Sequence, residues 1–149
     1  MRAVVQRVTK SSVTVDGQIT GATDEGLVVL IGVEEGDTDK DVRYIADKVS
    51  GLRIFEDENE KMNLSVKDVG GSILAISQFT LLGDVRKGKR PSFITAEDPE
   101  IANGLYQQVC ENIRNQGIKV ETGIFQAHML VKINNNGPVT ILLDSRKTF

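Results

Sequence analysis

The chain has 149 residues, 40% hydrophobic and 26% charged, with a formal net charge of -3. That length suits one domain, spanning residues 1–149, which can bury a core without metal or disulfide staples. No apolar run approaches the roughly 20 residues of a membrane span, the single cysteine, Cys110, excludes an internal disulfide and a cysteine-rich metal site, and the negative charge gives no global attraction to polyanions, so any nucleic-acid contact must be local.

Met1 to Val8 lacks the apolar stretch and cleavage site of a signal peptide and reads as a strand, so a soluble, cytoplasmic protein in a reducing compartment is expected. Val13 and Val15 alternate with Ser12, Thr14 and Asp16 as in a half-buried strand, and Asp16-Gly17 signals a hairpin turn before Gln18-Ile19-Thr20. The apolar run Leu27 to Val33, bounded by Gly26 and Glu34, suits a central strand buried on both faces. Thr38 and Asp41 have capping-box spacing, and Val42, Ile45, Ala46 and Val49 then recur with a helical period until Gly51, predicting a helix over Asp39 to Ser50. Leu52 to Phe55 reads as a short strand. The acidic run Glu56 to Lys61 lacks the alternating ligands and glycine of a calcium loop, so a solvated connection is expected.

Ile73 to Leu82, introduced by Gly70-Gly71 and ended by Gly83, predicts a second buried strand whose C-terminal half is Ser77-Gln78-Phe79-Thr80-Leu81. Arg86, Lys87, Lys89 and Arg90 then surround Gly88, a cluster that reads either as a solvated basic loop or as a phosphate contact. Asp98 is a candidate N-cap with Pro99 at the first helical position, and Ile101, Leu105, Val109 and Ile113 form an apolar stripe ending near Gly117. Ile118 to Glu121, Met129 to Ile133 and Val139 to Leu143 read as strands, with Asn136-Gly137 as a hairpin turn between the last two. From sequence alone the Gly137-Pro138 bond is expected to be trans. The order of elements is α+β, a strand-rich domain with two main helices.

Side-chain bases are scarce. His128, the only histidine, leads into an apolar strand, where a structural or exposed imidazole is the plainer reading, and catalysis is not assigned to it. Cys110 lies on the amphipathic second helix, as a buried, inert thiol would. Ser77 and Thr80 are hydroxyls without an activating base nearby in sequence; they could serve a substrate or merely satisfy the end of a strand.

Ser77-Gln78-Phe79-Thr80-Leu81 and Asn136-Gly137-Pro138-Val139-Thr140, in this order and at this separation, together resemble the two signature motifs of the D-aminoacyl-tRNA deacylases. The resemblance runs from the first strand to the last residues. It implies a barrel-like sheet core, a homodimer, aminoacylated tRNA as the substrate, and neither cofactor, metal, membrane nor further protein partner. The implied reaction is hydrolysis of the ester bond of D-aminoacyl-tRNA, and also removal of glycine mischarged on alanine tRNA. Ser77, Gln78, Phe79 and Thr80 would form the catalytic segment, with main-chain N–H groups of Phe79 and Thr80 as oxyanion donors and Thr80 the side chain nearest the ester. Assistance by the 2'-hydroxyl of the terminal adenosine would account for the missing side-chain base.

The same resemblance implies a cis Gly137-Pro138 bond that enters the partner subunit's site. There the Gly137 and Pro138 carbonyls would accept from the substrate's amino group and crowd the side taken by an L side chain. Arg7 would steady that loop, and Phe125, Ala127 and Met129 would wall the adenine, while Gln126 departs from the small residue, usually glycine, common there. Lying beside the first motif, Arg86, Lys87, Lys89 and Arg90 would contact tRNA phosphates. A related deacylase that removes L-alanine from threonine tRNA carries a different first motif. A nucleic-acid-binding protein on the same fold would explain the basic cluster but give Gly137-Pro138 no purpose, and a dimer with a vestigial site would be indifferent to Thr80.

Overall fold

A 14-residue opening strand, β1 (Arg2–Val15), organises the fold in the computed structural model, which describes residues 1–149. Asp16 and Gly17 both take positive φ, 49° and 78°, and reverse the chain into β2 (Gln18–Thr23); a turn of that hand matches the twist of the strands it joins. One edge of β1 pairs antiparallel with β3 (Gly26–Gly32) along its first half and with β2 along its second. Its other edge pairs with the 15-residue β8 (Leu130–Asp144). Beyond β3 the sheet turns parallel, through β6 (Ser72–Ser77) to β7 (Val120–Thr122). It then curls until β2 approaches β7 so closely that a Cβ on Gly21 would stand 2.6 Å from the Thr122 carbonyl oxygen. The result is a nearly closed, barrel-like sheet.

Two helices, α1 (Asp39–Gly51) and α2 (Pro99–Arg114), pack against each other on the outside. α1 starts at the expected capping box, with the Thr38 side chain accepting from Lys40 N and the Asp41 carboxylate accepting from Thr38 N. α2 starts where Asp98 accepts from Glu100 N at 3.0 Å with Pro99 as its first residue. Leu27, Val29 and Ile31 of β3 pack with Val42, Ile45, Val109 and Ile113 of the helices. Val28 points the other way and packs inside the barrel with Val8, Val13, Leu74 and Ile76. Burial on both faces is why this strand is an unbroken apolar run.

The expected strand over Leu52 to Phe55 is displaced to β4 (Phe55–Glu56), which forms a small ribbon with β5 (Met62–Leu64). In the connection between them, the Asp57 carboxylate accepts from the N–H groups of Asn59 and Lys61. The Met1 ammonium forms a buried ion pair with Asp37 at 2.8 Å and donates to Ser145 Oγ. Arg146 reaches the same Asp37 at 3.0 Å, which ties the start of β1 to the end of the chain. No helix is long and apolar enough to cross a membrane.

Two expectations are corrected. The strand expected over Ile73 to Leu82 stops at Ser77, and Phe79–Leu82 is a 3-10 turn. Its neighbour β3 ends at Gly32, so after Gln78 N donates to Ile31 O the ladder has nothing further to offer. The expected hairpin at Asn136-Gly137 is instead an outward bulge within the single strand β8. Both flanks pair with β1 in the same direction, but Gln6 to Val8 opposes Thr140 to Asn135, leaving three extra residues on β8. Pro138 lacks a ladder donor and Gly137 has φ of 127°, so the chain here cannot follow the pleat. The Gly137-Pro138 bond is cis, as the family resemblance implied and the sequence alone did not.

Candidate active site

At the C-terminal ends of the parallel strands β3 and β6 lies a cavity of about 560 Å³. Its apolar floor is Ile76 and Val131, side chains of the inner core. One wall is Ser77, Gln78 and Phe79; the facing wall is Phe125, Ala127 and Met129; Ala96, Glu97 and Pro99, at the start of α2, complete the rim. The first motif reaches the cavity because β6 ends there. Leu81 N donates to Gln78 O at 3.3 Å, the first bond of the 3-10 turn, so Phe79 N–H and Thr80 N–H precede any acceptor that turn provides. Phe79 is exposed and sets its ring edge-on to Phe93 with centroids 5.0 Å apart.

Thr80 is exposed, and its hydroxyl bonds the Gln78 side-chain amide. It does not line the cavity of its own chain. The opposite wall is a turn in which Ala127 N donates to Ile124 O at 3.2 Å and Gln126 adopts φ of 65°, a left-handed conformation that glycine accepts most readily. His128 is exposed at the rim. Glu97 was not singled out from sequence, although it directly precedes the Asp98 cap of α2; its carboxylate accepts from Gly36 N and Asp98 N.

The second motif stands apart from this cavity. Gly137 and Pro138 are exposed on β8, and neither lines the pocket of the same chain. Arg7, only 6% exposed, donates from Nε to Asn136 O at 3.0 Å and from Nη1 to Ile54 O at 2.8 Å. Val139 N donates to Asn135 Oδ1 at 3.0 Å, closing the bulge from within.

The basic cluster occupies a loop closed by paired backbone bonds between Asp84 and Ser92. Arg86 is clasped by Asp84 through bonds of 2.9 and 2.6 Å, which holds that carboxyl well below the usual carboxylate range. Lys87, Lys89 and Arg90 are exposed, form no ion pair, and edge a shallow depression together with Ser92 and Ile94. Cys110 is fully buried and burial pushes its thiol up, while Tyr106 donates to Ala75 O at 2.8 Å; both belong to the packing of α2.

Residues 4–144 match the D-Tyr-tRNA(Tyr) deacylase family. Over the full length of both chains the protein is 62% identical to the D-aminoacyl-tRNA deacylase of Koribacter versatilis (strain Ellin345). It is 58% identical to that of Thermotoga petrophila (strain ATCC BAA-488 / DSM 13995 / JCM 10881 / RKU-1), also over the full length of both chains. Among solved structures, the c-Myc DNA Unwinding Element Binding Protein superposes with a TM-score of 0.91 at 43% identity, over 97% of this chain and 98% of that one. A probable eukaryotic D-amino acid tRNA deacylase superposes with a TM-score of 0.79 over 95% of this chain and 97% of that one; at 17% identity it speaks to the fold alone.

Proposed function

This chain belongs to the D-Tyr-tRNA(Tyr) deacylase family and is a hydrolase of D-aminoacyl-tRNA, and from that premise we propose how its residues divide the task. The carrying observation is the cavity in which the Ser77-Gln78-Phe79 backbone faces Phe125, Ala127 and Met129. The terminal adenosine of the tRNA lies against the Phe125 to Met129 wall. Its ester carbonyl points at the N–H groups of Phe79 and Thr80, which stabilise the oxyanion formed when water adds. Ser77 and Gln78 hydrogen-bond the ester or the terminal ribose.

Thr80 is the side chain nearest the reacting bond. With Gln78 donating to its oxygen, the hydroxyl keeps its own proton to orient a water. The 2'-hydroxyl of the terminal adenosine assists in place of a side-chain base. Lys87, Lys89 and Arg90, with Arg86 at the base of their loop, meet the phosphates of the acceptor end.

Gly137 and Pro138 complete the site of a second copy in a homodimer. This reading is supported by their exposure, by their absence from the lining of the cavity in their own chain, and by exposed apolar residues on the same strand, Leu130 at 60% and Leu142 at 59%. Their carbonyls accept from the substrate's amino group and exclude an L side chain. Glycine has no side chain to exclude, so glycine mischarged on alanine tRNA is removed as well. The place of action is the cytoplasm.

A second reading, nucleic-acid binding without catalysis, is favoured by the exposed Lys87, Lys89 and Arg90 and by the name of the 43% identical structure. It leaves the bulge without a use. The deciding experiment compares hydrolysis of D-tyrosyl-tRNA and L-tyrosyl-tRNA, with a chelator present, for the wild type, Thr80→Ala and Pro138→Ala. Rapid loss of the D-ester alone is expected, with Thr80→Ala slower and Pro138→Ala releasing the L-ester too. Stability of both esters would favour the binding reading, and undiminished chiral discrimination by Pro138→Ala would sink the account of selectivity.

A further inference from the structure

Beyond the packing of Phe79 on Phe93 and of Leu82 on Gly32, the Phe79–Leu82 turn is held to the rest of the chain by few hydrogen bonds. Its entry is fixed by the final rung of the sheet, Gln78 N to Ile31 O at 2.7 Å. Its far end is seated by Leu82, 1% exposed, which rests on Gly32; a Cβ there would stand 2.6 Å from Leu82 Cδ2 and 3.0 Å from Gln78 O. Two side-chain hydrogen bonds touch the turn. One joins Gln78 and Thr80 inside the motif, and the other runs from Arg2 Nη1 to Leu81 O at 3.3 Å. Arg2 is therefore the only side chain from elsewhere in the chain that hydrogen-bonds it.

Arg2 sits opposite Gly32 of β3 and Asp144 of β8, so its guanidinium rises from the sheet beneath the turn. Its Nε is buried and has no acceptor. A guanidinium that leaves a donor desolvated to reach one main-chain carbonyl is placed against the ordinary preference of arginine for water. A cation also suits the carbonyl end of a helical turn, where the peptide dipoles present partial negative charge.

We propose that Arg2 is a positioning residue for the deacylation reaction. By holding Leu81 O it sets the pitch of the turn, and with it the direction of Phe79 N–H and Thr80 N–H, without itself touching the substrate. The proposal rests on the reading above that those two groups face the ester carbonyl. It predicts a kinetic signature: the Phe125 to Met129 wall that receives the adenine is untouched, so loss of Arg2 should act on the chemical step and spare binding.

Arg2→Met, which keeps the apolar stem and removes every donor, is compared with Arg2→Lys and the wild type on D-tyrosyl-tRNA. Exchange of the Leu81 and Gly83 amides is followed alongside. For Arg2→Met, kcat should fall at least about tenfold with KM changed less than about twofold, since a misplacement of about 1 Å can cost on the order of a hundredfold in rate. The two amides should exchange faster, and Arg2→Lys should recover most of the rate. Wild-type kcat in folded Arg2→Met, or a slower variant with unchanged amide exchange, would overturn the proposal. Should Arg2→Met not fold, Arg2→Ala, which likewise has no side-chain donor, takes its place under the same criteria. An inactive wild type would sink the functional reading instead, and the amide exchange would still decide whether Arg2 holds the turn.

Discussion

The Asn136–Val139 bulge and the Phe79–Leu82 turn both take the chain out of regular strand at an exposed surface, and β1 supplies an arginine to each from residues of opposite parity, Arg7 and Arg2. The two arginines are used differently. Arg7 is buried and bonds Asn136 O and Ile54 O, with Glu56 at 3.7 Å, so bulge, strand and the segment before β4 are fastened together. Arg2 makes one long bond to one carbonyl and leaves its Nε unpaired. In the proposed function the bulge selects by collision and would fail if it could recoil, so firm anchorage is what that role requires. The turn, which in the same proposal has only to aim two N–H groups, is fixed by its entry, its seat on Gly32, the Phe79–Phe93 ring pair and a single outside side-chain hydrogen bond, and its weakest restraint is the place where its geometry can be detuned.

The largest effect should come from Arg7→Met. It leaves the buried Ile54 carbonyl without its donor at about 1–3 kcal/mol and removes a part-buried bond to Asn136 O at less, hence a loss of up to about 3 kcal/mol. For a chain of this size that lowers the thermal midpoint by roughly 10 °C. The surviving folded enzyme should also hydrolyse L-tyrosyl-tRNA faster relative to the D-ester. An unchanged midpoint in a thermal melt would show that the bulge does not depend on Arg7. Next is Gly32→Ala, whose methyl must displace Leu82 and the Gln78 carbonyl oxygen. Overpacking of this kind costs about 1–3 kcal/mol. Here kcat on the D-ester should fall while the ratio of D to L hydrolysis stays that of the wild type. If both substitutions alter chiral discrimination equally, the division of labour between the two regions is wrong.

Much of this was legible in the sequence because local chemistry and tertiary demand agreed. The capping box at Thr38 and Asp41, the Asp98-Pro99 start of α2, the Asp16-Gly17 turn and the unbroken run of β3 each stand where they were expected. The errors share a physical cause. Ile73 to Leu82 is apolar but for Ser77, Gln78 and Thr80, yet a strand lasts only as long as its neighbour, and β3 ends at Gly32. Asn136-Gly137 has the composition of a hairpin, yet whether a glycine-containing kink reverses a strand or merely bulges from it depends on which strand its flanks pair with, here β1 for both. Of the residues expected at the site, Ser77, Gln78, Phe79, Phe125, Ala127 and Met129 meet at one cavity, whereas Thr80, Gly137 and Pro138 do not line it within a single chain. On the proposal that the bulge serves a second copy, such a site cannot be assembled from the contacts of one chain.

The basic loop offers a control that should leave both regions alone. Arg86 is already clasped by Asp84, whereas Lys87, Lys89 and Arg90 are free to meet phosphate. Lys87→Ala, Lys89→Ala and Arg90→Ala should each lower the salt dependence of kcat/KM by about one unit of slope or slightly less, while Arg86→Ala should lower it less. None should change the ratio of D to L hydrolysis. Equal slopes for all four variants would mean that the Asp84 clasp does not set Arg86 apart.

The smallest effect concerns acid, and it should bypass bulge and turn alike because the carboxyls involved lie where the chain ends meet. Burial opposes ionisation of Asp41, but the Ser145 hydroxyl at 2.6 Å, the Thr38 N–H at 2.8 Å and the Met1 ammonium outweigh it and keep the group below its ordinary pKa. Burial likewise opposes ionisation of Asp144, and the Thr148 hydroxyl with the N–H groups of Arg146 and Thr148 again wins. A carboxyl depressed in the folded state takes up its proton first in the unfolded chain. Its stabilisation is therefore complete above the unfolded value of about 3.9 and is lost as pH falls through the folded values. Asp41→Asn should melt lower than the wild type at pH 7 and lose less of its midpoint between about pH 5 and pH 3, because part of the acid-sensitive term has already gone. Melts of equal steepness over that range would remove Asp41 from the account. Discrimination between D and L esters, measured wherever both proteins stay folded, should not move, since the Asp41 carboxyl that is changed hydrogen-bonds neither Arg7, Arg2 nor the segments they hold.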